Sequence, residues 1–132
     1  MPFIGLIITS IGFTIPSFLA FRQRKRKMGI LCSVLSCTSV LYHGTLNRFF
    51  KYIDLAYAHS VGGFYIIQSV ARCCIYHRVY DVVVLSGTIS SVVIFYFGAC
   101  NAKFSEVKKA RYHMLFHACT QSMMSLHAID TK

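Results

Sequence analysis

The chain has 132 residues, of which 55% are hydrophobic and only 14% charged, and its mean hydropathy is +0.55. Soluble domains carry about 25% charged residues, so the composition argues against one and points to a single integral-membrane domain. The formal charge of +10 does not indicate a nucleic-acid partner. The basic residues fall between apolar segments, where membrane proteins place them and where they meet lipid phosphates.

The first apolar segment, residues 3–21, is long enough for a bilayer core of about 30 Å. Pro16 is expected to kink it, as membrane helices tolerate. The segment precedes its basic cluster, Arg22-Gln23-Arg24-Lys25-Arg26-Lys27, the reverse of the order in a cleavable signal peptide. That cluster reads as a topology signal, or as a contact for lipid head groups. Residues 28–46 form the second span, diluted with Ser, Thr and Cys as suits a helix inside a bundle. Asn47 to Ile53 reads as a tight basic turn, and Asp54 opens the third span, 54–71. Gly62 and Gly63 in it are expected to allow close helix contact.

Arg72 to Arg78 reads as a short polar loop. Cys73 and His77 are four apart there, but no third ligand is nearby. Residues 79–99 form the most apolar span, followed by a polar loop from Asn101 to Arg111. The fifth span, 112–129, is polar in its second half. The expected fold is all-α, a multi-pass membrane bundle of about five transmembrane helices. The six cysteines show neither zinc-finger spacing nor a secreted disulfide framework and read as small apolar helix residues.

Two stretches at span edges carry the candidate chemistry. Ser39 and His43 are four apart, as are His113 and His117, so each pair shares one helix face. With five spans, the second and fourth loops lie on one side of the membrane. His43 and Asp54 border the second loop, and the His113/His117 pair borders the fourth, so all four belong at similar depth. Three imidazoles and a carboxylate from three helices are what a buried zinc site needs. Ionisable groups inside a membrane are expensive and usually functional. No Glu separates His113 from His117, so this is not the metalloprotease helix motif. Asp54 is the acid placed to act as base. His59, His77 and His127 read as packing, loop or interface residues, and Tyr42, Tyr112 and Phe49-Phe50 as bilayer-edge anchors.

Ser-x3-His, an Asp eleven residues after that His, and His-x3-His on the last helix resemble the CREST superfamily. That group holds alkaline ceramidases, adiponectin receptors and related lipid-modifying membrane proteins. The resemblance implies zinc bound by His43, His113 and His117, with a water in the open position. It also implies that Asp54 bonds that water and that Ser39 helps polarise a substrate carbonyl. The implied activity is hydrolysis of a lipid amide or ester, with zinc-bound water as nucleophile and membrane lipids as partners. The family normally has seven spans, so five would make this a truncated member. Alkaline ceramidases also have an acidic, calcium-binding N-terminal region, whereas this chain has no acid before Asp54. The alternative is a non-catalytic small subunit of a larger membrane complex, derived from such an enzyme.

Overall fold

A computed structural model describes residues 4–130, and it is helical almost throughout. Phe3, where the first expected span begins, lies outside the described residues. Helices α1 (Ile4–Ile11) and α2 (Thr14–Arg22) form one rod with a break at Gly12-Phe13. The break follows from Pro16, which has no N–H to offer the Gly12 carbonyl. That carbonyl instead accepts from Ile15 N–H at 3.1 Å, and Ser10 O accepts from Phe13 N–H at 3.2 Å. Both are tight three-residue closures, so the expected kink lies just ahead of the proline. Arg24 N–H then bonds Phe21 O at 3.0 Å and Lys25 N–H bonds Ala20 O at 2.8 Å. With Arg24 left-handed at φ 58°, this pair of bonds is a Schellman ending.

The second rod is α3 (Arg26–Thr45) and the third is α4 (Arg48–Tyr76). The basic turn expected over 47–53 is therefore mostly helix. Asn47 Oδ1 accepts from Phe49 N–H at 2.8 Å, capping α4 six residues before Asp54. The expected loop at 72–78 is also largely helix: α4 carries Cys73 and Cys74, and only His77 and Arg78 connect it to the next rod. That rod is α5 (Val79–Ile94), which runs into a π-helical turn, Phe95–Ala99. Ser105 caps the last rod, α6 (Glu106–Ile129), by accepting from Lys108 N–H, so the polar loop shortens to residues 100–105.

The rods form a ring. Each packs on its neighbour in sequence, and α6 closes the circle against α1 and α2. Phe13, Cys32, Leu35, Val61, Tyr65 and Met124 fill one half of the interior. The buried set holds twelve polar or charged residues beside twelve apolar ones, while Ile4, Phe18, Ile67, Val79 and Phe97 are among many large apolar side chains facing outward. Soluble proteins show the opposite distribution.

Three rods, Ile4–Arg22, Arg26–Thr45 and Val79–Ala99, are long and apolar enough to cross a membrane. The rods of α4 and α6 are as long but fall short in apolarity. Their polar residues have turned inward: Asp54 and Ser69 on α4, and His117 and His127 on α6, are buried.

At the end of the bundle away from His43, charges tie the rods together. Asp81 accepts from Arg72 Nε at 2.9 Å and from Arg78 Nε at 2.7 Å. Asp130, just past α6, pairs with both arginines. Lys25 Nζ donates to His127 O at 2.9 Å and also to Asp130 O. Burial, with the Arg72 charge beside it, lowers the Lys25 pKa from its ordinary value. His127 Nε2 bonds Ser69 Oγ at 3.0 Å, so the packing role expected of His127 has a specific partner.

Candidate metal centre

His43 enters from the last turn of α3, and His113 and His117 enter from the third and fourth turns of α6. One ring nitrogen from each lies within 4.8 Å of the others. The rings meet edge to face, with His43 and His113 centroids 5.0 Å apart, His43 and His117 5.8 Å, and His113 and His117 4.7 Å. Tetrahedral zinc with Zn–N bonds of about 2.0–2.1 Å sets its nitrogens roughly 3.4 Å apart, so small side-chain rotations complete the set. His43 and His117 are buried and His113 is half-buried. Phe13 packs edge-on against His117 at 5.2 Å, and Phe95 packs against His113 at 5.6 Å.

The donor set fits a cation in a second way. His43 Nε2 is buried, and no protein group bonds to it. Buried polar atoms are nearly always paired, and an imidazole nitrogen facing two other imidazoles is a natural ligand.

His117 is held by a residue absent from the sequence-based site. Its Nδ1 lies 3.0 Å from Thr9 Oγ1. Thr9 has one hydroxyl proton, and Leu6 O, 3.1 Å away, accepts it. With that proton on Leu6 O, Thr9 accepts from His117 Nδ1–H. That bond fixes the tautomer and leaves the Nε2 lone pair for a metal, as in known zinc sites whose histidines donate their other nitrogen. The Thr9 carbonyl in turn accepts from Gln121 Nε2. Sequence spacing gave no sign of Thr9, because it lies 108 residues from His117.

Asp54 and Ser39 line the same cavity as the three histidines, an open-mouthed space of about 1060 Å³. Asp54 is buried in the second turn of α4, where its Oδ1 accepts from Thr38 Oγ1 at 3.0 Å. Ser39 is buried, with its Oγ 3.0 Å from Ser10 Oγ. Ser10 donates its own proton to Leu6 O at 2.7 Å. With that proton on Leu6 O, Ser39 is the donor to Ser10 and turns lone pairs rather than a proton toward the cavity.

Other expectations change. Gly62 and Gly63 make no close helix contact, since a Cβ at either would meet nothing within 4 Å. Both open onto the cavity. Close approaches occur instead at other glycines, among them Gly87, where a Cβ would lie 2.2 Å from Met123, and Gly98, where it would lie 2.3 Å from the Tyr112 ring. Tyr112 also stacks on Phe104 at 5.6 Å, whereas Tyr42 lines the cavity. Phe49, by contrast, is exposed. His59 lines the cavity too: its Nδ1 bonds Leu55 O at 2.7 Å and its Nε2 meets the Tyr96 hydroxyl at 2.6 Å. Among the described residues, the three histidines are the only group of His, Cys, Asp or Glu that converges this way. Cys73 and His77 have no such partners, and the cysteines are free thiols.

No protein-family model matches the chain, and neither a curated protein nor a solved structure matches it.

Proposed function

We infer that the chain is a five-span membrane protein acting as a zinc-dependent hydrolase of a lipid amide or ester, a compact relative of the CREST superfamily. The observation that carries this reading is the convergence of three imidazole nitrogens, one without a protein partner, in the wall of a cavity that also holds Asp54. The outward apolar and inward polar distribution supports the five-span arrangement, including the two less apolar rods.

His43, His113 and His117 would hold the metal, leaving one position open. Zinc held by three protein ligands supplies Lewis acidity and a water with a pKa near 7. The protein's own groups do the rest. Asp54 Oδ1 is occupied by Thr38, which leaves Oδ2 to accept a proton from the attacking water. Water adds across the acyl C–N or C–O bond, and the fatty acid keeps the oxygen. Asp54 returns its proton to the departing nitrogen or oxygen. Ser39 can donate to the substrate carbonyl only by releasing Ser10. The apolar half of the cavity wall excludes bulk water and holds the acyl chain.

Metal content tests the reading. Protein purified in detergent is expected to carry about one zinc per chain by elemental mass spectrometry, and the His113→Ala/His117→Ala variant none. Zinc-loaded protein is then expected to release fatty acid from a panel of lipid amides and esters. A folded, zinc-free wild type would sink the enzyme reading. Zinc without turnover would leave a structural site in a non-catalytic subunit.

A further inference from the structure

The cavity changes character along its length. Away from the histidines its wall includes Leu35, Ile66, Val92 and Met124. At the end bounded by the α3–α4 and α5–α6 connections, the lining is instead Lys51, Cys100, Glu106 and Lys109. Lys51 lies in the first turn of α4, and Glu106 and Lys109 in the first turn of α6. The Lys51 charge reaches the Cys100 thiol, opposing the rise in its pKa that burial causes. Lys109 Nζ meets Glu106 at 2.8 Å, but Glu106 is 79% exposed, so water screens that pair and it contributes little. Lys51 makes no ion pair among the described residues. Asp54, three residues along α4 from Lys51, is engaged by Thr38 instead.

Lysines at a membrane edge commonly do no more than reach water or lipid phosphate. These two differ because both line the same cavity as the three histidines, one from the start of α4 and the other from the start of α6. Lys109 is also only 26% exposed. The mouth thus presents one unopposed ammonium and a second that is loosely held.

We propose that this mouth is a subsite for an anionic group, so that the preferred substrates are acyl lipids bearing a carboxylate or phosphate next to the scissile amide or ester. This rests on the hydrolase reading and narrows it. The anion docks on Lys51 and Lys109, the carbonyl lies toward the histidines, and the acyl chain runs along the apolar wall. A neutral head group would leave Lys51 without an ion pair and Lys109 with the exposed Glu106 alone.

The test uses three lipids that share a palmitoyl amide: N-palmitoylethanolamine, N-palmitoylglycine and N-palmitoyl-phosphoethanolamine. Binding to the detergent-purified protein is measured by calorimetry, and hydrolysis by palmitate release. Two charge-assisted contacts predict that at least one anionic amide binds about tenfold more tightly than the neutral one. The comparison of glycine with phosphoethanolamine separates carboxylate from phosphate recognition. Lys51→Gln/Lys109→Gln is expected to bring the affinities together, while Lys51→Arg/Lys109→Arg preserves the preference and controls for folding. Equal affinity for all three lipids, or a preference that survives the glutamine variant, overturns the inference whether or not turnover occurs. Failure to release palmitate from any of them counts against the hydrolase reading and leaves the binding comparison to decide the subsite.

Discussion

His117 Nδ1 lies 3.0 Å from the Thr9 hydroxyl, although 108 residues separate them. Because the Thr9 proton goes to Leu6 O, the first helix sets which nitrogen of the last helix faces the metal position. Thr9→Val keeps the shape and removes the acceptor. It is expected to weaken zinc binding about 10- to 100-fold, the usual range for an outer partner of a ligating histidine. Thr9→Ser should restore most of that. Competition with a chromogenic chelator measures both, and an unchanged affinity in Thr9→Val would show that His117 is oriented by other means.

Ser39 and Ser10 make the second prediction. The Ser39 proton goes to Ser10, whose own proton goes to Leu6 O. If Ser39 polarises the substrate, the reaction breaks this bond anyway. Ser39→Ala should therefore lower kcat by about 100-fold, the low end for the loss of a donor to a developing oxyanion. Ser10→Ala should leave kcat nearly unchanged. Equal losses in the two variants would mean that Ser39 only packs.

The glycines separate two readings of α4. Gly62 and Gly63 face open space, whereas a Cβ at Gly98 would lie 2.3 Å from Tyr112. Gly62→Ala and Gly63→Ala should each stabilise the folded state by about 0.5–1 kcal/mol, the helix-interior difference between the residues. Gly98→Ala should cost about 1–3 kcal/mol through overpacking. Thermal melts in one detergent compare all three, and a destabilised Gly63→Ala would restore the close-contact reading.

Asp81 is the fourth. It is 2% exposed and takes hydrogen bonds from Arg72 and Arg78. Asp81→Asn leaves two guanidinium groups without that charge at the far end of the bundle. The variant is expected to melt at a lower temperature than the wild type in one detergent, with Asp130 still holding both arginines and limiting the loss. Zinc stoichiometry should survive wherever the protein still folds, because this network lies at the opposite end from His43.

Much of the candidate site was legible in the sequence because its spacing is local. His113 and His117 share a face through helix geometry alone. His43 joins them because alternating rods bring the second and fourth connections to one side. What spacing could not convey were the partners supplied by distant rods: Thr9 for His117, Ser10 for Ser39, and Ser69 for His127. Each is a small hydroxyl residue of a kind that occurs throughout this chain, so nothing local marks it. The boundaries of α4 were misread for a related reason. Arg48 and Lys51 look like a loop by polarity, yet the Asn47 cap starts the helix before them. Gly62 and Gly63 look like a contact surface by size, yet a small residue also widens a cavity.

The ring closes between its first and last members, and this gives the molecule an order of assembly. Rods one to four can meet in the order in which they are made, but the wall stays open until α6 arrives. His43 must wait for His113 and His117, and His117 arrives to find Thr9 already in place. A bound metal would therefore mark a closed ring, and until α6 docks the serine-lined inner face stays open to its surroundings.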